Sequence, residues 1–304
     1  MAKENRTAKG RPAISIVGAG RMGGALALAL GADGYSVESL VTRRLSHARR
    51  VASLLGPQTI ALSDRELDKL PASDLILIAT PDDIIASVAR KLANAQNGIR
   101  GDRTVLHTSG ALSSTALLPL AKAGFKTGSL HPLLSISDPA SGANNLRGAF
   151  FCLEGERAAL QVARRIVNDL GGRAFSIEAG NKALYHAAAV MASGHMTALF
   201  DIALEMLVRC GLSRRRAREV LLPLVQSAVA NLAVMEPAEA LTGTFARGDL
   251  ATVQRHLAVL EEQALPAALA AYVLLGQRSL SLVRKKPKAS TSAQIARLLK
   301  RHER

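Results

Sequence analysis

Short apolar runs alternate with helical patterns through the first half of the chain. Helical periodicity fills 21–31, 45–55, 82–93 and 113–123. Strand-like apolar runs lie between these stretches, at 13–17, 35–41, 74–79, 104–107 and 126–130. Strands that alternate with helices of this length form βαβ units and a parallel sheet. The pattern therefore predicts an α/β domain with a mostly parallel, doubly wound sheet.

The hydrophobic pattern changes twice after this alternation. Residues 135–147 are rich in Ser, Asn, Gly and Pro and predict a loop. The apolar runs 149–153 and 173–177 flank a helical stretch at 156–170, and they predict two more strands of the same sheet. Residues 12–178 are thus expected to form one domain, with a core at 12–148 and an added strand-helix-strand at 149–178.

Residues 179–283 show helical patterns and predict a second, all-α domain. Its first helix is expected to run from about residue 181 to residue 209. Breaks are expected at 211–213, 236–237, 241–248 and 266.

Charge is concentrated at the two ends of the chain. Of a net charge of +15, residues 1–11 carry +3 and residues 284–304 carry +7. Both segments are interpreted as basic tails that do not pack against the body, and residues 285–304 are expected to be either mobile or a frayed helix. Such tails could contact nucleic acid non-specifically. Nucleic acid is nevertheless an improbable partner, because only 3% of residues are aromatic and base stacking needs aromatic side chains.

Composition also bears on compartment. Cys152 and Cys210 each sit in an apolar run, which predicts two buried free thiols, and no metal site is expected. Residues 1–11 lack the apolar segment of a signal peptide. The late apolar run 264–275 is too short to span a bilayer and contains Pro266. A cytoplasmic protein without a membrane segment is expected.

A glycine-rich turn follows the first predicted strand. Its sequence is Gly18-Ala19-Gly20-Arg21-Met22-Gly23, and it opens a helix. In a dinucleotide-binding βαβ unit, the first glycine permits the tight turn, the second admits the pyrophosphate and the third lets the helix close on the strand. The helix N-terminus then offers N–H groups to the phosphates. The motif predicts a Rossmann dinucleotide site that includes Arg21 and Met22.

The end of the second strand predicts which dinucleotide binds. An acid here would bind the ribose hydroxyls of NAD, but the chain reads Thr42-Arg43-Arg44. A guanidinium suits a ribose 2′-phosphate, so Thr42 and Arg43 predict NADP. Glu38 is nearer the usual spacing but lies inside the strand. Thr80 and Pro81, after a later strand, are expected to line the same crevice.

Candidate catalytic residues lie at later strand ends and on the first helix of the second domain. His107 with Ser109 and His131 follow neighbouring strands. On a helix that turns about 100° per residue, Lys182, His186 and Ser193 share one face. This polar stripe faces either the crevice or solvent, and the crevice is the favoured interpretation. Residues 241–249, which include Arg247, form a polar island that could close the pocket.

The stretch from residue 17 to residue 24 and the pattern around Ala79-Thr80-Pro81 resemble the cofactor domain of pyrroline-5-carboxylate reductase, ketopantoate reductase and the beta-hydroxyacid dehydrogenases. The chain is more specifically similar to bacterial proteins that pair a Rossmann-like domain with a C-terminal helical domain of unassigned function. The second resemblance rests on motifs at 107–110, 129–132, 185–189, 241–243 and 247–249. It implies an NADP oxidoreductase and a homodimer formed through the helical domain. The beta-hydroxyacid dehydrogenases have a Lys and, four residues later, an Asn; this chain has Lys182 and His186.

The leading hypothesis is an NADPH-dependent reductase of a small carbonyl or imine compound that carries a carboxylate. Lys182 or His186 would donate the proton, Arg247 would anchor the carboxylate, and His131 with Ser109 would orient the substrate oxygen. The alternative is a non-catalytic NADP-binding sensor or partner-binding module.

Overall fold

A computed structural model describes residues 10–95, 102–283 and 289–303. The chain divides into two compact units, residues 1–191 and residues 192–304. The sequence predicts a boundary at 178/179, and the division by contacts falls after Met191.

Unit 1 is built on one eight-stranded sheet. Its strands are β1 (Ile14–Val17), β2 (Val37–Thr42), β3 (Ile60–Ser63), β4 (Leu75–Ile78), β5 (Thr104–His107), β6 (Lys126–Pro132), β7 (Phe150–Gly155) and β8 (Arg173–Ser176). The order across the sheet is β3-β2-β1-β4-β5-β6-β7-β8. Neighbouring strands are parallel except β6 and β7, which are antiparallel. The predicted α/β sheet is confirmed.

Helices cover both faces of this sheet. The helices of unit 1 are α1 (Arg21–Ala32), α2 (Leu45–Leu55), α3 (Asp82–Ala95), α4 (Leu118–Lys122), α5 (Pro139–Asn145), α6 (Arg157–Asp169) and α7 (Lys182–Val190), the last of which has only Lys182 buried. One buried apolar cluster joins α1, α2 and α6 to the sheet, and a second joins α3 and α4 to it. Such two-sided packing explains why the central strands β1, β4 and β5 are buried at every position.

Two segments of unit 1 differ from the sequence pattern. The predicted loop 135–147 contains α5, and that prediction is wrong. Asp138 caps α5 by accepting hydrogen bonds from the backbone N–H groups of Ala140 and Ser141. Gly142 is buried, and a Cβ there would lie 2.5 Å from Ile136 and 3.2 Å from Ala25 on α1. The edge strand β3 was not predicted, because its four residues alternate only weakly.

The described residues of unit 2 contain helices and no strand. The helices are α8 (Met196–Arg209), α9 (Arg214–Leu232), α10 (Pro237–Ala240), α11 (Thr244–Arg247), α12 (Leu250–Glu262), α13 (Pro266–Val283) and α14 (Ala289–Arg301). Their main core contains Val253, Leu257 and Val273. The predicted all-α region is confirmed, and helix ends fall at all the predicted breaks.

The single helix predicted at 181–209 is interrupted. Residues Met191–His195 form a π-helical turn between α7 and α8. A π turn has i→i+5 hydrogen bonds and so advances less than 100° per residue. The angular argument that placed Ser193 on the same face as Lys182 and His186 therefore fails beyond Met191.

The C-terminal segment is not an unpacked tail in the part that the structure describes. Residues 289–301 form α14, and Ile295 and Leu299 are completely buried in the core of unit 2. Of the two expectations for residues 285–304, the helix is the one that the structure shows. The expectation that this segment does not pack against the body is wrong, because these two residues are one helical turn apart and make an apolar stripe. Residues 284–288 lie outside the described residues.

The N-terminal tail is largely outside the described residues, which begin at Gly10. Its last residue, Arg11, does contact the body: the guanidinium lies 3.7 Å from Asp169 and over the ring of Tyr35. Arg11 is thus part of unit 1.

The two cysteines differ in burial. Cys152 is buried as predicted, whereas Cys210 is exposed, so the prediction of a buried thiol at Cys210 is wrong.

Exposed apolar surface is extensive on the helices. Helical residues 179–209 and 266–283 are long and apolar enough to cross a membrane by length and composition. Two such helices are weak evidence for a membrane protein, because core helices of soluble proteins pass the same test.

Candidate active site

The glycine-rich turn lies where the strand order reverses. The chain passes from β1 outward to β2 and β3 and then returns to β4 on the other side of β1. Gly18 has φ +101°, and a Cβ there would lie 2.6 Å from the backbone of Ala79 after β4. A Cβ on Gly23 would lie 2.2 Å from the carbonyl oxygen of Gly18. Both glycines are therefore required by close backbone packing.

Gly20 differs from these two glycines. A Cβ there would meet no atom of the described residues within 4 Å, so these residues leave the space beside its backbone open. Gly20 is also the N-cap of α1, and no side chain caps this helix end. An open, uncapped helix N-terminus presents free N–H groups to an anion.

A cavity of about 540 Å³ lies over this turn. It brings together six of the predicted cofactor residues: Gly18, Gly20, Thr42, Arg43, Thr80 and Pro81. Three other predicted residues belong to α1 and do not line it. Arg21 is exposed, Met22 packs partly against the core, and Gly23 is buried. Arg44, His47 and Lys91 also line the cavity and were not predicted.

The cavity suits a phosphate-bearing nucleotide. Arg43 and Arg44 are exposed, and among the described residues neither has an ion-pair partner. The buried hydroxyl of Thr80 also has no hydrogen-bond partner among the residues that the structure describes. An unsatisfied buried hydroxyl is costly, so a ligand group that bonds Thr80 Oγ1 would remove this cost.

Two acids bear on the choice of cofactor. Glu38 accepts a hydrogen bond from Ser73 at a point away from the cavity lining, so it is already engaged. Asp64 follows β3 and does line the cavity. Thr42 is partly engaged as well, since its hydroxyl donates to the carbonyl oxygen of Arg44 at 2.6 Å.

A second group of polar side chains surrounds Lys182 at the next strand ends. Lys182 is 1% exposed, and its Nζ donates to the carbonyl oxygen of Ser109 at 3.0 Å and to Ser129 Oγ at 2.6 Å. Within the described residues no carboxylate lies within 4.0 Å of this amine. Burial lowers the pKa of Lys182, although Cys152 and Glu154 act in the opposite direction.

Ser109 and His107 shape the loop that follows β5. Ser109 Oγ accepts hydrogen bonds from the backbone N–H groups of Ala111 and Leu112. Its own N–H donates to His107 Nδ1 at 3.2 Å, and His107 Nε2 lies 3.1 Å from the carbonyl oxygen of Ser113. His107 is fully buried, and burial, with Lys182, lowers its pKa to about 4.

His131 and His186 approach each other above Gly110. Their ring centroids are 5.7 Å apart with the rings nearly perpendicular. A Cβ on Gly110 would lie 2.4 Å from His186 and 2.8 Å from His131 Nε2. His131 Nδ1 is hydrogen-bonded to the hydroxyl of Tyr185 at 2.7 Å. Burial, and then the charge of Lys182, lowers the pKa of His131 to about 4.

The predicted catalytic residues are therefore only partly brought together. Lys182, His186, His131 and Ser109 belong to one cluster in unit 1, although Lys182 is buried rather than open. Arg247 belongs to unit 2, where it is exposed at the end of α11. Its role as a carboxylate anchor remains a prediction.

Sequence reasoning missed several members of the cluster. Tyr185 and Ser129 bond His131 and Lys182, while Glu154 accepts from the backbone and hydroxyl of Ser114. Cys152 is the strand partner of His131. One signal was present: Tyr185 follows Lys182 by three residues and so lies on a nearby face of the same helix. The antiparallel β6–β7 register carried no sequence signal.

Two family models match this chain. Residues 2–132 match the model described as a Rossmann-like domain, and residues 149–279 match the model described as a domain of unknown function, DUF2520. The chain thus carries a Rossmann-like domain followed by a DUF2520 domain. The resemblance to proteins with a helical C-terminal domain of unassigned function is confirmed. No curated protein sequence matches the chain.

Solved structures of oxidoreductases share this fold. A Bacteroides fragilis protein named provisionally as an NADP oxidoreductase is 20% identical with a TM-score of 0.72, over 88% of this chain and 98% of its own. A reductive aminase from Aspergillus terreus in complex with NADPH and ethyl levulinate is 18% identical with a TM-score of 0.61, over 94% and 99%. The NADP-bound pyrroline carboxylate reductase of Plasmodium falciparum is 15% identical with a TM-score of 0.54, over 90% and 98%.

Proposed function

We propose that this protein is an NADPH-dependent oxidoreductase that reduces a small carbonyl or imine compound carrying a carboxylate. The observation that carries the proposal is the cavity beside Gly20, which is lined by the exposed Arg43 and Arg44 and has the Lys182 cluster at the adjacent strand ends. In open α/β sheets, ligands bind outside the carboxyl ends of the strands at the point where the strand order reverses. The cofactor cavity and the Lys182 cluster both lie at the carboxyl ends of the parallel strands.

The residues of the cavity support NADP as the cofactor. Gly20 and the uncapped N-terminus of α1 would hold the pyrophosphate. Arg43 would hold the 2′-phosphate, because a guanidinium offers two parallel donors to a phosphate. Thr80 Oγ1, for which the described residues offer no hydrogen-bond partner, would bond the cofactor. The reductive aminase and the pyrroline carboxylate reductase of the same fold hold NADPH and NADP, respectively.

The Lys182 cluster supports a protein that catalyses a reduction rather than one that only binds NADP. NADPH supplies a hydride to the carbon of a C=O or C=N bond, and the oxygen or nitrogen then needs one proton. Lys182 and His186 are the candidate donors. Burial lowers the pKa of Lys182, so its ammonium group gives up a proton more readily than a solvated lysine does. Ser109 holds Lys182 through its backbone carbonyl.

The proposal is tested by NADPH oxidation against a panel of keto acids, cyclic imines and aldehydes. We expect turnover with at least one carboxylate-bearing compound and a kcat about 10²–10⁴-fold lower with the Lys182→Met variant. Arg247→Ala is expected to raise KM for that compound and to leave KM for NADPH unchanged. Failure of every compound, with NADPH bound tightly, would favour the alternative function.

That alternative is a non-catalytic NADP-binding sensor or partner-binding module. In this alternative NADP binds in the same cavity, and Lys182 and His186 take part in no reaction. The two functions differ in one measurement: a sensor binds NADPH and changes conformation or partner affinity without consuming it.

We also propose that the protein is a cytoplasmic homodimer formed through the helical domain. The support is α9, a 19-residue helix with only Ala217 buried, which exposes Val220, Leu222, Leu224 and Val229. Val220 and Leu224 share one face of α9 and Leu222 and Val229 the opposite face, and exposed apolar surface marks interaction sites. Light scattering should give twice the 32.0 kDa chain mass, and Leu224→Glu should give the monomer mass.

A further inference from the structure

Asp64 lies at the outer end of the cofactor cavity. Gly20, Thr42 and Asp64 all line this cavity, and they lie at the carboxyl ends of β1, β2 and β3, which are neighbours in the sheet. Neighbouring strands are about 4.8 Å apart, so the end of β3 stands roughly 10 Å from that of β1. The cavity therefore extends from the glycine turn outward past the end of β2.

The loop after β3 fixes the backbone of Asp64 and leaves its carboxylate free. The N–H of Asp64 donates to the carbonyl oxygen of Thr42 at 3.2 Å. The N–H and the hydroxyl of Ser63 donate to the carboxylate of Glu66 at 3.0 and 2.7 Å. Asp64 is exposed, and its carboxylate has no hydrogen bond or ion pair with the residues that the structure describes. Glu66 is thus engaged within the loop, whereas Asp64 can accept a hydrogen bond from a ligand.

An acid is unexpected in a cavity that suits a phosphate-bearing nucleotide. Arg43, Arg44, His47 and Lys91 line the same cavity, and Asp64 is the only acid among the described residues that do so. A carboxylate repels a phosphate, and an ionised carboxylate can accept hydrogen bonds but cannot donate one. Asp64 therefore fits a part of the nucleotide that carries no charge and donates a hydrogen bond.

Apolar side chains line the cavity beside this acid. Leu67, three residues after Asp64, is joined in the lining by Ile84 and Val88 of α3. Ile84 is 42% exposed although its side chain is large and aliphatic. A purine ring over these side chains would remove apolar surface from water. The exocyclic amino group of adenine is a hydrogen-bond donor, and the carboxylate of Asp64 is the matching acceptor.

The order of the strands matches the order of the parts of the nucleotide. In a Rossmann site the pyrophosphate lies at the glycine turn after the first strand, and the adenosine ribose lies at the end of the second strand. The base is attached to the ribose on the side away from the pyrophosphate. The strand beyond β2 is β3, and its end carries Asp64.

We propose that Asp64 is a specificity-determining residue that accepts a hydrogen bond from the amino group of adenine, so that the site selects an adenine dinucleotide over a purine dinucleotide without this group. The selection rests on the proposed NADPH site and is independent of the substrate. Arg43 then binds the charged 2′-phosphate, and Asp64 binds the uncharged base.

The proposal is tested by calorimetry on the full-length protein with two ligands, NADPH and its analogue in which hydrogen replaces the amino group of adenine. We expect the wild type to bind NADPH about tenfold more tightly than the analogue, because the analogue lacks one hydrogen bond to a charged group. The ratio of the two affinities is the measured quantity. Loss of a negative charge near the phosphates changes both affinities alike and cancels in this ratio.

Three variants show whether Asp64 is responsible for the ratio. Asp64→Ala should bring it close to one. Asp64→Asn should give an intermediate ratio, because the amide oxygen can still accept a hydrogen bond but carries no charge. The matched control is Asp68→Ala, which replaces an exposed acid that does not line the cavity and should keep the wild-type ratio.

Equal affinities of the wild type for the two ligands would overturn the proposal and leave NADPH as the cofactor. An unchanged ratio in Asp64→Ala would also overturn it. If that variant instead lost affinity for NADH with the ratio unchanged, Asp64 would bind a ribose hydroxyl rather than the base. Absence of NADPH binding by the wild type would overturn the proposed function together with the base selection.

Discussion

Lys182 Nζ donates a hydrogen bond of 3.0 Å to the carbonyl oxygen of Ser109, a residue 73 positions earlier in the chain. The bond ties the start of α7 to the loop after β5. It also fixes a buried amine with no carboxylate within 4.0 Å in the described part of the chain. Burying a charge without a counterion is expensive, and groups with perturbed pKa values in such places are candidates for catalysis.

The first prediction concerns this amine and its neighbour. Lys182→Met and His186→Asn should each lower kcat by about 10²–10⁴-fold, the usual contribution of a general acid. NADPH affinity, measured by calorimetry, should change little, because neither residue lines the cofactor cavity. Lys122→Met, an exposed position on α4, is the control. Near-normal turnover in both variants would make His131 the next candidate.

A second prediction concerns the cofactor's extra phosphate. Arg43→Ala should weaken NADPH binding by roughly tenfold or more, since a charge-assisted hydrogen bond contributes about 1.5–3 kcal/mol. NADH affinity should stay the same. The control is Arg50→Ala, which replaces an exposed arginine on α2 and should change neither the NADPH nor the NADH affinity. Equal affinities of the wild type for NADPH and NADH would exclude this role for Arg43.

The glycine turn gives opposite expectations for two neighbouring glycines. Gly20→Val should fold normally, because its Cβ meets no atom, and should abolish dinucleotide binding by filling the open space. Gly23→Ala should destabilise the fold instead, because its Cβ would stand 2.2 Å from the carbonyl oxygen of Gly18. Thermal unfolding and a nucleotide titration separate the two effects. Nucleotide binding by a folded Gly20→Val variant would show that the turn is not a phosphate site.

The C-terminal helix predicts a loss of stability on truncation. Leu299→Ala should lower the free energy of unfolding of unit 2 by about 2–5 kcal/mol, as other buried leucines do. Deletion of 289–304 should cost more, because it also removes Ile295 from the core. Gln294→Ala, exposed on the same helix, is the control. Deletion of 1–9 is still expected to leave cofactor affinity unchanged.

Acid should destabilise unit 1 before it protonates most carboxylates. The pKa values of His107 and His131 fall from 6.5 in the unfolded chain to about 4 in the folded one. The unfolded state therefore binds more protons between these values, and stability falls as the pH is lowered from 6.5 to 4. Each histidine lowers the free energy of unfolding by about 3 kcal/mol at most over this pH range. Urea unfolding at several pH values should show a shallower dependence in His131→Asn; an identical slope would contradict the shift.

The sequence by itself determined the order of strands and helices apart from β3 and α5, together with the glycine turn and the polar ends of the strands. These follow from local periods and from backbone demands that only glycine meets. It also placed Lys182 and His186 on one helix face, because they are a single turn apart. It could not show that residues 289–301 pack as a helix, since their apolar stripe is only two buried residues long.

Tertiary structure decided which polar side chains meet. Ser109, Ser129 and Lys182 come from three separate elements, and only the parallel alignment of β5 and β6 brings the first two to the same amine. The Cys152–His131 pairing depends on the antiparallel register of β7, and a shift of one residue would turn Cys152 to the other face. Contacts between distant residues arise from strand register and burial, which no local period encodes.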